Sequence, residues 1–542
     1  MTHELERRAM LFQSAFAMAL LSPPARAMTA AVLKRSTIAT TRTGRVQGYL
    51  DRGIEVFKGI PYGADTATTR FRAPKPAQSW SGVRDATAFG PRAPQPPGHD
   101  VRLFDSWPEE QPIGEDCLHL NVWTPAVGRG GKRPVMVWIH GGGYINYSAN
   151  SVAFDGVNLC RKGDVVVVSM NHRLNLFGFL YLAELGGDAY ADSGNAGMLD
   201  LVLMLKWVRD NIAEFGGDPD NVMIFGQSGG GAKCATLMAM PSAHGLFHKV
   251  ISMSGQQLTG SRKSTATANA LPVIGHLGLK PGAIGTIDAM PMETLIAVAH
   301  YAGYYGPVTD GRTLPRDPFS PDAPPLSADV PMIMGNTHDE TRLLIGAADP
   351  SLFALDWKLL PAKIAQHVGS YIGDLDPIEI VAFYRKLYPD YSASDVFFAA
   401  STAFRSWPGQ VIEAERRAAQ AAKTGAAKTW VYQLDWKSPA DGGKWGAPHA
   451  LDIPLAFDNV DMSGSMCGTT PAARRMADIV SDMFLAFAHK SDPATPALPQ
   501  WPTYDLASRN TMLLDLPPRV ESDPRGAERR FAQQVHYVQP GT

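Results

Sequence analysis

Cysteine is scarce in this chain: four residues in 542, Cys117, Cys160, Cys234 and Cys467, with no C-x-x-C pair and no zinc-ligand spacing. That excludes a disulfide scaffold or a zinc-knit module, so the fold must rest on core burial. Charge of one sign is missing as well. Fifty Lys and Arg stand against 52 Asp and Glu, for a net charge of −2. Such a balance offers no electrostatic footprint for nucleic acid or for an anionic membrane surface. Long apolar runs are absent too. The stretch from Ala9 to Leu21 is too short to cross a bilayer comfortably. No internal repeat or extended low-complexity segment appears, which sets aside solenoids and arrays.

That short apolar stretch has a different reading. It follows Arg7-Arg8 and precedes Ala25-Arg26-Ala27, the three-part pattern of a cleavable leader. We expect residues 1–27 to be a signal peptide and the protein to be exported to the periplasm or secreted. The paired arginines permit a twin-arginine route. If residues 1–27 are not a working signal, Met28 becomes the start and the protein is cytoplasmic.

Glycine, in contrast, is plentiful at 51 residues, and two clusters carry chemistry. Gly226-Gln227-Ser228-Gly229-Gly230 follows the apolar run Val222–Phe225 and opens a small-residue helical stretch. A strand, a tight turn with serine at its tip and then a helix make a nucleophile elbow, in which glycines flank a strained residue. Upstream, the strand-like Pro134–Ile139 runs into His140-Gly141-Gly142-Gly143-Tyr144. Glycines after a strand let backbone N–H groups approach a ligand and stabilise a developing oxyanion. Gly142, Gly143 and Gly229 are therefore the candidate oxyanion donors. His140 suits a structural hydrogen bond better than a catalytic one.

An elbow of this kind takes its acid and then its histidine downstream. The apolar strand Val330–Met334 leads into Asn336-Thr337-His338-Asp339-Glu340, and acids just past a strand's carboxyl end stand where such sheets place their chemistry. On strand logic alone, Asp339 and Glu340 are nearly even. For the base, His449 follows a β-rich run, Trp430–Trp436, across a Gly/Pro loop and lies after the acids in chain order. Its rivals are His338, on the acids' own loop, and His489, which reads as part of a helix.

The pattern of elements completes the picture. Strand-like runs at 134–139, 164–170 and 221–225, with a helical Leu199–Ile212 between the last two, follow βαβ logic. Thr40–Gly90 reads as short antiparallel strands. Residues 91–113 form a proline-rich loop, with Trp107 a candidate for lining an entrance. Residues 256–330 resemble a lid insertion carrying Tyr301, Tyr304 and Tyr305, and residues 351–425 look helical.

Taken together, these residues resemble the type B carboxylesterase/cholinesterase family. Phe57-Lys58-Gly59-Ile60-Pro61-Tyr62 is similar to its N-terminal pattern, and Glu115-Asp116-Cys117-Leu118 to its second signature. Asn171-His172-Arg173, Phe215-Gly216-Gly217-Asp218-Pro219 and Trp501-Pro502-Thr503-Tyr504 match it as well, over roughly residues 40–515. The resemblance implies an α/β-hydrolase fold: a central, mostly parallel twisted sheet flanked by helices with lid-like insertions. It implies one domain over residues 28–542. It favours Glu340 over Asp339, which is left as a solvated loop acid, and His449 as the opener of His449-Ala450-Leu451-Asp452-Ile453-Pro454. The implied activity is hydrolysis of small carboxylic esters by Ser228, His449 and Glu340, with no metal or cofactor. A catalytically inactive relative acting as a binding or adhesion module is the alternative. Oligomeric state is not legible.

The chain also departs from the family. Gln227 stands where a glutamate is usual, which argues against choline specificity. Gly229 replaces the common alanine, and Ala93 stands near the place of the cysteine that pairs with Cys117, so Cys117 is expected to be unpaired.

Overall fold

The computed structural model describes residues 36–96, 111–280, 282–425, 428–462 and 465–539. The leader expected over residues 1–27 and Trp107 lie outside these. Strands come in chain order as β1 (Ser36–Thr40), β2 (Arg45–Asp51), β3 (Ile54–Pro61), β4 (Val83–Asp85), β5 (His119–Thr124), β6 (Arg133–Ile139), β7 (Val166–Met170) and β8 (Gly217–Gln227). They continue as β9 (Lys249–Met253), β10 (Ser261–Arg262), β11 (Val308–Thr309), β12 (Met332–Thr337), β13 (Thr429–Leu434), β14 (Asn510–Leu514) and β15 (Arg519–Ser522). All but β10 and β11 join one sheet, in the spatial order β1-β2-β3-β5-β7-β6-β8-β9-β12-β13-β14-β15, with β4 beside β2. From β7 to β14 every neighbouring pair is parallel. The flanks are antiparallel, as the short strands before residue 90 suggested, except that β4 runs parallel to β2.

The parallel centre follows from its sequence. Val166, Val167 and Val168 are fully buried, and such unbroken β-branched runs belong to strands covered on both faces. Alternate side chains serve two different cores. Val135, Val137, Ile139, Val222 and Ile224 pack with Leu201, Leu205 and Val208 of the helix Ala196–Asn211. Met136, Trp138, Met223 and Phe225 point the other way, against Met476, Val480 and Phe484 of the helix Pro471–Lys490. A one-residue slip would exchange these faces, so the register is firmly set.

The helical region expected over 351–425 forms between β12 and β13 with a third core of its own, including Leu360, Ile364, Ile380, Tyr384 and Phe397. Segment 256–330 carries the helix Lys263–His276 and the small parallel pair β10–β11. Tyr305 is buried there, whereas Tyr301 is exposed. The acid-bearing strand runs further than its apolar residues suggest: β12 takes in Gly335, Asn336 and Thr337, because it pairs with β13 through Thr337 opposite Leu434. Among the described residues, no helix is long and apolar enough to cross a membrane.

Candidate active site

Ser228 stands between β8 and the helix Gly229–Leu237 at φ 58°, ψ −126°, a backbone state that a residue with a side chain rarely adopts. Tight packing around it fixes this turn. Ser228 N–H donates to the Met253 carbonyl at 2.8 Å. A Cβ on Gly230 would come within 2.0 Å of the Ile139 carbonyl, so the end of β6 excludes any larger residue there. The elbow expected from the sequence is present.

The glycine loop lies directly against it. Gly142 and Gly143 have φ of 78° and 59°. The Gly142 carbonyl accepts from the N–H groups of Ile145 and Asn146 at 3.2 and 3.3 Å, which closes the loop on itself. Among the described residues, nothing accepts from the N–H of Gly142, Gly143 or Gly229. A Cβ on Gly229 would fall 2.3 Å from the Gly143 carbonyl oxygen, so any larger residue there must shift the glycine loop.

Glu340 begins a short helix just past β12 and is wholly buried. Its carboxylate accepts from Ser254 Oγ at 2.5 Å, Thr337 N–H at 2.8 Å and Asn336 Nδ2 at 3.1 Å. It also accepts a close hydrogen bond from His449 Nδ1. Burial alone would raise the carboxyl's pKa, but the imidazole and these donors outweigh it and hold the group below the usual carboxylate range. An ionised carboxylate only accepts, so Nδ1 of His449 carries the proton and Nε2 is left with a lone pair. That nitrogen lies 3.1 Å from Gln227 Nε2, which is placed to donate into it. The fold thus brings His449 onto Glu340 and onto the residue next to Ser228.

The rival histidines are engaged elsewhere. His338 Nδ1 sits 3.2 Å from Asp339 Oδ1, and His489 Nε2 meets the Gly163 carbonyl at 2.8 Å. His140 is buried and stacked on His172, with Nδ1 donating to the Gly141 carbonyl at 3.0 Å. Burial and the charge of Lys233 drive its pKa well down, so it stays neutral and structural, as expected.

Asp339 corrects the sequence reading. It is not a solvated loop acid but only 8% exposed. Burial opposes its ionisation, yet His338, Arg342 and the Ala447 N–H hold it far below the ordinary carboxylate value. The sequence reading also missed Ser254 and Asn336 as partners of Glu340. Each lies at the carboxyl end of a parallel strand, β9 or β12, and that position was the available signal. Asp452, three residues past His449, is raised to about 7 by burial and by the neighbouring Glu340 charge, and it accepts from Tyr432 Oη at 2.9 Å.

The four cysteines are all buried and free, Cys117 among them. Cavities of about 400 and 470 Å³ flank the helix Pro408–Thr424 and share Ile412, His536, Tyr537 and Val538. Neither is lined by Ser228, Glu340 or His449, so size alone does not mark the chemistry.

Known proteins align with this geometry over nearly the whole chain. A para-nitrobenzyl esterase of Bacillus subtilis is 34% identical, covering 91% of this chain and 98% of its own. A phenmedipham hydrolase of Pseudarthrobacter oxydans is also 34% identical, over 86% of this chain and 92% of its own. The solved structure of a Geobacillus stearothermophilus carboxylesterase superposes with a TM-score of 0.80 at 36% identity, covering 92% of this chain and 100% of that one. Residues 35–532 match the carboxylesterase family. With its α/β-hydrolase sheet and this likeness along its length, the chain belongs to that family and is a carboxylesterase.

Proposed function

We propose that Ser228, His449 and Glu340 form the catalytic triad of a serine ester hydrolase, with Gly142, Gly143 and Gly229 as its oxyanion donors. The observation that carries this reading is the double engagement of one imidazole. His449 meets Glu340, 109 positions away, and Gln227, 222 positions away.

Chemistry follows from the hydrogen positions. Nε2 of neutral His449 takes the proton of Ser228 as Oγ bonds to the ester carbonyl carbon. The carbonyl's π electrons move onto oxygen, and the free backbone N–H groups hold that oxyanion, each worth roughly 3–4 kcal/mol of barrier. Glu340 keeps the ring in the productive tautomer and stabilises the imidazolium. The oxyanion collapses, the C–O bond to the alcohol breaks, and the imidazolium returns its proton to the leaving oxygen. Water deprotonated by the same ring then hydrolyses the acyl-enzyme. Amides and lactones pass through the same intermediate.

The substrates proposed are small uncharged esters, aryl and benzylic ones included. Gln227 sets a neutral amide beside the base, so choline esters gain no charge-based advantage over neutral esters of the same shape. We also propose that residues 1–27 are removed on export and that residues 28–542 act as one domain. Intact-mass measurement of exported protein checks the leader, with a full-length or Met28-initiated product counting against it.

A fluorophosphonate probe followed by peptide mapping tests the triad. Stoichiometric label on Ser228 is expected. A folded preparation that takes no label, or takes it at another serine, overturns the assignment.

A further inference from the structure

Lys233 lies on the helix that Ser228 begins, and its side chain is wholly buried. Its Nζ donates to the His140 carbonyl at 3.1 Å and stands 5.6 Å from the centre of the Tyr144 ring. His140 and Tyr144 are the residues on either side of Gly141-Gly142-Gly143. The ammonium therefore bonds one end of the glycine loop and lies within cation–π range of the other. Among the described residues it forms no ion pair with an acid. A buried ammonium without a counter-ion is costly, and the fold retains this one directly behind the loop.

Four titratable groups face it: His140 and Tyr144 from the loop after β6, His172 from the segment after β7, and Cys234 from its own helix. Burial, with the charge of Lys233 itself, keeps both histidines neutral. Burial also holds the Tyr144 phenol and the Cys234 thiol in their protonated forms. Lys233 is left as the member of this cluster whose charge changes near neutrality, because burial lowers its pKa to about 7.

We propose that Lys233 is a positioning residue for the oxyanion loop: its ammonium clamps the His140 carbonyl, fixes where the Gly142 and Gly143 N–H groups stand, and adds positive potential behind them. This rests on the oxyanion role proposed above for those glycines. A charge-assisted hydrogen bond is stronger than a neutral one, and in a water-poor site its field acts over more than one bond length. Such a field stabilises the transition state, where the carbonyl oxygen gains charge, more than the uncharged ester. Its loss must then appear in kcat rather than KM.

The test uses the full-length protein with Lys233→Met and Lys233→Gln. Methionine is unbranched and one atom shorter, and it removes both donor and charge; glutamine keeps a donor without the charge. The readouts are kcat and KM for a p-nitrophenyl ester between pH 5.5 and 9, and inhibition by a trifluoromethyl ketone, whose adduct with serine is an oxyanion. Lys233→Met is expected to lower kcat by about tenfold or more with KM within about twofold, and to weaken the trifluoromethyl ketone by a similar factor. Lys233→Gln is expected to recover part of kcat. A decline of wild-type kcat as pH rises through about 7 should be absent in both variants. Folded Lys233→Met with wild-type kcat overturns the proposal, as does a loss shared equally by KM and kcat. If the methionine variant does not fold, a Lys233→Gln pH profile identical to wild type overturns it alone. Fluorophosphonate labelling separates the two failures: no label at Ser228 sinks the triad, whereas label at Ser228 with wild-type behaviour of the lysine variants sinks only the role of Lys233.

Discussion

Asp339 and Ala447 exchange two hydrogen bonds: Asp339 N–H donates to the Ala447 carbonyl at 2.9 Å, and Ala447 N–H donates to the Asp339 carboxylate at 3.0 Å. One partner precedes Glu340 and the other stands two residues before His449. The pair therefore ties the loop of Glu340 to the loop of His449.

Asp339→Ala leaves the buried Ala447 N–H without its side-chain acceptor, a loss of roughly 1–3 kcal/mol. We expect a lower thermal midpoint and a lower kcat, with Asp339→Asn retaining more of both. The pH dependence has a definite sign. The native pKa of Asp339 is depressed, so its contribution is present above about pH 4 and fades as pH falls below that. The native pKa of His338 is raised: burial opposes the charge, but Asp339 outweighs it. Its contribution is present below about pH 6.5 and is lost as pH rises through the native value. Thermal melts of wild type and Asp339→Asn from pH 3 to 9 check both limbs.

Removing the ring at 449 should separate it from its rival at 338. His449→Ala is expected to lower kcat by about 10⁴–10⁶-fold. His338→Ala should leave kcat within about tenfold while lowering stability. Steady-state kinetics on one aryl ester decide it, and a reversed ranking would move the base to His338.

A methyl group at position 229 meets the Gly143 backbone. Gly229→Ala therefore forces the glycine loop away from Ser228 and displaces its donors. We expect kcat to fall by about tenfold or more with little change in ground-state binding, since the contact proposed for these donors is to the oxyanion. Unchanged kcat would show that the loop yields without cost.

Glu413 offers a stability test away from the chemistry. It is wholly buried, accepts from Gln257 N–H at 2.7 Å, and burial raises its pKa to about 8. Its native pKa lies above the ordinary value of 4.5, so its stabilising effect is complete below that pH and is lost as pH rises toward 8. Glu413→Gln does not titrate. Its melting point should gain on wild type steadily between pH 5 and 8 and keep a constant lead above that.

Much of this was legible in the chain before any coordinates. Val166–Val168 read as a buried parallel strand because β-branched residues leave no polar face, and Ser228 was marked by the glycines that its turn requires. Strand logic alone does not separate Glu340 from Asp339, because both follow the same strand; the family resemblance favours Glu340, and the contact with His449 falls on it. Gln227, Lys233 and Ser254 carry no periodicity of their own. Their roles come from contacts with residues far away in sequence, which no window of neighbours contains. The burial of Asp339 escapes local pattern for the same reason: it depends on a loop more than a hundred positions downstream.

The direct ladder between β12 and β13, Met332 opposite Thr429 through Thr337 opposite Leu434, closes off everything folded between them. Glu340 sits at the threshold of that excursion, and His449 comes after the chain has returned. Where Glu340 and His449 meet is therefore set by the register of two neighbouring strands, not by the length of chain that loops out between them.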